Sequence, residues 1–110
     1  MNTLEAFQAL DIRTGTIVSV EDVPEAKKPI YKVIVDFGPL GKKITGAGLK
    51  EYYSKEELHG KRVVAIVNLP PKQIAGLTSE CLLLAALDHE TNQCVLLEPD
   101  REAANGLKIF

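Results

Sequence analysis

Tyr31-Lys32-Val33-Ile34-Val35-Asp36-Phe37 is the stretch on which the fold turns. Tyr31, Val33, Val35 and Phe37 fall on one side of a two-residue repeat, and Lys32 and Asp36 fall on the other. That alternation is the signature of a half-buried β-strand. Upstream, Thr14-Gly15-Thr16-Ile17-Val18-Ser19-Val20 is rich in β-branched residues and reads as a preceding strand. Pro24 and Pro29 bracket the segment between them and deny backbone donors to a sheet, so residues 23–29 read as a loop. Downstream, Gly38-Pro39-Leu40-Gly41 is a turn into a third strand that starts at Lys42-Lys43-Ile44-Thr45 and soon meets Gly46 and Gly48.

Working outward, Thr3 is the expected cap of a short helix running through Gln8, with Leu4 and Phe7 on one side. Ser54-Lys55-Glu56-Glu57 is a capping box ahead of Leu58, and Gly60 ends that helix. Arg62 to Leu69 is a nearly continuous apolar run, expected as a strand buried on both sides and stopped by Pro70-Pro71. Residues 72–78 read as a loop and Ser79 to Leu87 as the fifth strand. His89 to Asn92 is a hairpin turn into Cys94-Val95-Leu96-Leu97, and Leu107 to Phe110 is a last short strand. Five main strands, a helical piece after the third and extra C-terminal strands predict an all-β, OB-type five-stranded Greek-key barrel; an open α+β sheet is the alternative.

The 110 residues suit one domain, taken as 1–110, and the 45% hydrophobic content is that of a globular chain. The N-terminus lacks the basic and apolar regions of a signal peptide, and the longest apolar run, Cys81 to Leu87, is too short to span a bilayer. These features predict a cytoplasmic protein with no membrane partner. Cys81 and Cys94 sit in apolar runs and are expected as reduced core thiols. With His59 and His89 as the remaining soft ligands, no metal site is expected. No nucleophile elbow, P-loop or dinucleotide fingerprint is present, so the chain reads as a binder without catalytic residues or cofactors.

Net charge is −2, but it is unevenly spread. Residues 1–26 carry one Arg and five acids, residues 27–72 ten Lys/Arg and four acids, and residues 73–110 two Lys/Arg and six acids. A basic middle can present a positive face to an anionic ligand whatever the total. The basic residues near the second and third strands and the later loop are Lys32, Lys42, Lys43, Lys50, Lys61, Arg62 and Lys72. Lys42 and Lys43, after a glycine turn, are well placed for phosphates. Phe37, Tyr52 and Tyr53 are the few candidates for stacking on bases, and Phe37 belongs to the core face. So little stacking surface favours recognition of RNA shape over sequence.

Asp11-Ile12-Arg13-Thr14-Gly15, Val35-Asp36-Phe37-Gly38, Val67-Asn68-Leu69-Pro70-Pro71-Lys72-Gln73-Ile74-Ala75-Gly76 and Ser79-Glu80 together resemble the tRNA-binding domain family. That family includes free-standing tRNA-binding proteins, the domain appended to methionyl-tRNA synthetases, and the CsaA proteins. Leu4 to Gln8 and Pro99-Asp100-Arg101 extend the likeness toward CsaA. The resemblance implies an OB fold, a homodimer built from the terminal segments, and tRNA as partner. For CsaA it implies instead a chaperone-like action on unfolded or exported polypeptides. It places Asn68 and Ser79 at polar positions near the RNA face and Lys72 at a basic loop position. CsaA proteins tend to carry Ser-Ser-Ala-Gln where this chain has Ile44-Thr45-Gly46-Ala47-Gly48, which favours RNA over peptide. Leu107, Ile109 and Phe110 are costly to expose and are expected at the dimer interface, unless they pack on their own barrel.

Overall fold

The computed structural model describes residues 1–110. Helix α1 (Thr3–Ala9) leads into β1 (Ile12–Asp22), β2 (Tyr31–Asp36) and β3 (Lys42–Ala47), then α2 (Lys55–Leu58) and β4 (Arg62–Ile66). The short strands β5 (Lys72–Ile74), β6 (Leu77–Ser79), β7 (Leu82–Leu83), β8 (Ala85–Asp88) and β9 (Gln93–Leu96) follow. The main sheet is antiparallel, with order β3-β2-β1-β4-β7.

The eleven-residue β1 curls the sheet into a barrel. Its first half pairs with β4 (Ile12↔Ile66 to Thr16↔Arg62) and its second half with β2 (Thr16↔Asp36 to Asp22↔Tyr31), with a register shift between Ile17 and Ser19. A bulge there bends the strand and increases its twist, so that one strand serves two neighbours. Tyr31, Val33, Val35 and Phe37 are all buried, as the alternation requires, and Phe37 is fully enclosed. Gly15 makes room for it: a Cβ there would lie 2.7 Å from Val35 Cγ1 and 2.9 Å from the Phe37 ring.

The barrel closes through a seam in which side chains do part of the pairing. Residues 79–83, from the end of β6 through β7, take the place of the expected fifth strand. The end of this segment, β7, pairs with β4, and its start reaches β3. The Glu80 N–H donates to the Ile44 carbonyl at 2.7 Å, and the Glu80 carboxylate accepts the Ile44 N–H at 3.0 Å. Ser79 Oγ accepts the Gly46 N–H at 3.2 Å and donates to Thr45 Oγ1 at 3.1 Å. The result is an OB barrel with α2 between β3 and β4.

Several expected elements are redrawn. Asn2, not Thr3, caps α1, in a reciprocal capping box with Glu5. β4 has its core side in the barrel, with Val63 and Ala65 buried; on the other side Arg62 and Val64 are partly exposed and only Ile66, opposite Ile12, is buried. Residues 72–79 form the hairpin β5–β6 and not a loop. The strand expected from Ser79 to Leu87 is broken near Leu84, where the chain leaves the barrel for the hairpin β8–β9. Leu107 to Phe110 is not a strand but a strap with a single bridge, Lys108 to Arg13.

That strap is fixed on β1 by Thr14. Its hydroxyl donates to the Ala104 carbonyl at 2.8 Å and accepts the Leu107 N–H at 3.0 Å, while its backbone bonds Gly106 and Leu107. The Asp11 carboxylate adds ion pairs to Arg13 at 2.6 Å and Lys108 at 3.6 Å. The Arg13 hydrogen bond, helped by the positive charges of Arg13 and Lys108, holds the Asp11 carboxyl below its ordinary value of 3.8. A folded-state pKa below the unfolded one gives stabilisation that is complete above the unfolded value and lost as pH falls through the folded one. The strap is therefore expected to loosen below about pH 4, seen as faster amide exchange at Lys108 and Ile109. Asp11→Asn should abolish that pH dependence.

Candidate nucleic-acid interface

Lysines flank the outward face of β2 and β3, and they divide sharply by pairing. Lys50 and Lys55 both bridge Asp22, at 3.1 and 2.6 Å, and Lys61 faces Glu98 at 3.7 Å. Arg13, Arg101 and Lys108 are likewise ion-paired. Lys27, Lys28, Lys32, Lys42, Lys43, Arg62 and Lys72 have no carboxylate within 4.0 Å. Arg62 lines a separate hollow with Thr16 and Glu102. The other six surround β3 and the β5–β6 hairpin, so Lys50, Lys61 and Arg62 drop out of the expected basic cluster.

The register places them. Lys42 lies opposite Asp36 and Lys32 opposite Gly46, on the outward side that Ile34 and Ile44 share. Lys42 makes no ion pair with Asp36 within 4.0 Å, and the Asp36 carboxylate accepts the Gly38 N–H at 2.8 Å. Lys43 lies opposite the core residue Val35, at the end of β3, near Cys81 and Glu80. Gly46 sits beneath Ile74, with room for a Cβ 3.4 Å from Ile74 Cγ2, so the hairpin overhangs the strand. Beneath the hairpin root runs a groove of about 470 Å³, lined by Leu69, Pro70, Pro71, Lys72, Gly46 and Glu80 among others.

Lys27 and Lys28 were not singled out in the sequence. They line a hollow of about 330 Å³ together with Ile74 and Ala75 of the hairpin tip. The loop between the first two strands of an OB barrel commonly borders its ligand face. That rule, applied to the lysine pair between Pro24 and Pro29, is the signal that would have found them.

The two expected polar contacts, Asn68 and Ser79, both have hydrogen-bond partners within the fold. Ser79 is buried and bonded to β3. Asn68 is exposed but bonds the junction of α1 and β1, with Oδ1 accepting from Asp11 and Nδ2 donating to Ala9. The two do not bracket a common site. Of the three family positions, Lys72 and Ser79 line the groove and Asn68 does not.

At the hairpin tip, Ala75 and Gly76 both have positive φ, 48° and 84°. Two such central residues suit a tight hairpin, but an alanine there is strained. Ala75→Gly should stabilise the chain by about 0.5–1 kcal/mol in urea unfolding, after the entropy cost of glycine.

Cys81 and Cys94 are free and buried. Burial, with the Glu80 charge adding, pushes the Cys81 thiol up to about 12, so it is neither nucleophile nor ligand near neutral pH. No three His, Cys, Asp or Glu residues are placed to hold a metal, and no helix is long and apolar enough to cross a membrane. Tyr52 and Tyr53 are half-buried against the core, and the Tyr53 hydroxyl accepts the Leu96 N–H. The β2–β3 face therefore carries cations and aliphatic side chains but no aromatic ring.

At the termini, Leu4, Phe7 and Leu10 of the α1 region line a groove of about 290 Å³ with Ile109 and Phe110. Helix α1 buries no residue, and Phe110 is fully exposed. Leu107 is half-exposed, with its backbone on Thr14 and its side chain uncovered.

A family model described as "Putative tRNA binding domain" matches residues 12–108. Among curated proteins, a methionine–tRNA ligase of Nanoarchaeum equitans is 48% identical over 103 residues, which is 94% of this chain but 13% of the ligase. Among solved structures, the CsaA chaperone protein of Picrophilus torridus superimposes with a TM-score of 0.91 at 42% identity, covering 100% of both chains. CsaA of Bacillus anthracis follows with a TM-score of 0.88 at 40% identity, covering 100% of this chain and 99% of that one.

Proposed function

Since the chain belongs to the tRNA-binding domain family, we propose that it binds transfer RNA by shape and acts as a homodimer. The observation that carries the RNA reading is the set of six unpaired lysines around β3: Lys27, Lys28, Lys32, Lys42, Lys43 and Lys72. Phosphates are the ligands such lysines suit, and each phosphate neutralised releases counterions. Without an aromatic platform the face has no means of gripping an unpaired base by stacking, which supports contact with the backbone of folded RNA.

The homodimer reading is supported by the terminal groove. Leu4, Phe7, Leu107, Ile109 and Phe110 form apolar surface that water covers poorly and a second copy would bury. Competition tests the RNA reading: unlabelled tRNA should displace labelled tRNA far better than a single-stranded RNA of equal length and charge. Equal competition would remove shape recognition. Sedimentation tests the dimer.

A chaperone-like action is the second reading. It is supported by the likeness to CsaA and by exposed apolar side chains on and around the β8–β9 hairpin, Leu82, Leu87, Val95 and Leu97. Its test is suppression of aggregation of an unfolded client; no suppression counts against it.

A further inference from the structure

Asn68 stands just past β4, four residues before Lys72, at the root of the loop that forms the RNA groove. It does not line that groove. Its carboxamide is turned to the other end of the molecule: Oδ1 accepts the Asp11 N–H and Nδ2 donates to the Ala9 carbonyl, both at 2.9 Å. The Val67 N–H fastens the same point by donating to the Asp11 carbonyl at 2.8 Å. These bonds hold the last residue of α1 and the first turn out of it.

Helix α1 needs such a hold. It has seven residues, none buried, and no basic residue in its last turn. Isolated helices of that length are not stable in water. Its capping box secures the outer end, while the inner end rests on Asn68 and on the apolar contact with the strap.

We propose that Asn68 is a positioning residue that pins the N-terminal helix to the root of the RNA-face loop, giving the self-association groove and the RNA groove one common anchor. The inference rests on the homodimer reading above. Through this anchor Asn68 serves RNA binding by setting the helix that pairs the two copies, and each dimer supplies two lysine faces.

The test compares the full chain with Asn68→Ala, which removes both bonds, and Asn68→Asp, which keeps the acceptor for Asp11 N–H but loses the donor to Ala9. In Asn68→Ala the helix population of residues 3–9, read from Cα chemical shifts, should fall. The dimer dissociation constant from sedimentation should rise by about tenfold, the size of one net hydrogen bond. Affinity for unfractionated tRNA should drop at protein concentrations below the dimer midpoint and return to within about twofold of wild type above it. Asn68→Asp should fall between the two, and it carries the test alone if Asn68→Ala does not fold. Unchanged helix shifts and self-association, with weaker tRNA binding at every protein concentration, would overturn the proposal and make Asn68 a direct RNA contact. A wild-type chain that sediments as a monomer removes the homodimer reading alone. The anchor is then judged on the helix shifts: lost in the variant they support it, unchanged they overturn it.

Discussion

Replacing Lys42 and Lys43 together by Glu is expected to weaken tRNA binding on the order of 100-fold at low salt and to flatten its salt dependence by about two contacts' worth of slope. The reason is geometric. Both lysines open β3 beside the turn at Gly41, and neither has a carboxylate partner. Reversal therefore breaks no internal ion pair and acts on the ligand's phosphates directly. Lys55→Ala is the control, because Lys55 already bonds Asp22 on another part of the surface. It should change affinity little. Filter binding over a salt series reads both quantities, and an unchanged affinity in the double variant would remove the β3 lysines from the site.

Gly106→Ala carries the largest expected effect on the fold and the dimer. Gly106 has φ +87°, and a Cβ there would fall inside contact distance of the Phe37 carbonyl oxygen and 3.2 Å from Pro39 Cδ. Neither neighbour is a flexible tip: one is backbone beside the most enclosed core ring, the other a proline ring. Left-handed strain and the clash together cost about 2–4 kcal/mol. The strap then either strains the barrel or comes off Thr14. Both outcomes lower the melting temperature, by about 10 °C for a domain of this size, and release of the strap also removes Ile109 and Phe110 from the terminal groove. Self-association should weaken with the melting temperature. A variant that melts and sediments like wild type would show that the strap contributes to neither.

The parts of the fold legible in the sequence are those that a two-residue repeat or a cap writes locally. Tyr31 to Phe37 alternates and is buried on alternate residues, and Ser54 to Glu57 caps α2 as its chemistry requires. The parts that were not legible depend on distant partners. The hairpin from Lys72 to Ser79 looks like a loop because its side chains are mostly exposed, with Ile74 and Leu77 partly covered and only Ser79 buried, Ile74 and Ser79 against β3. Arg62 to Leu69 reads as doubly buried because its apolar run is continuous, yet a barrel has one inside. The site divides in the same way. Lys32, Lys42, Lys43 and Lys72 have no carboxylate partner and lie around β3. Asn68 and Ser79 have their hydrogen bonds committed within the fold. Lys27 and Lys28 become part of the face only when the hairpin tip folds over beside them.

The seam between β3 and the fifth strand has a consequence for the order of assembly. The β1–β2–β3 meander joins near neighbours in the chain, whereas the Ser79 and Glu80 bonds to β3 span 33 and 36 residues and include few backbone pairs. Contacts that close long loops with little ladder to reward them form late. The meander should gain protection from exchange first during refolding, and the seam after it. Because the overhanging hairpin and Lys72 arrive with that seam, a half-folded chain already displays Lys32, Lys42 and Lys43 but not the groove. Under the function proposed above, a nascent chain would hold RNA only by weak, unselective attraction until the barrel shuts.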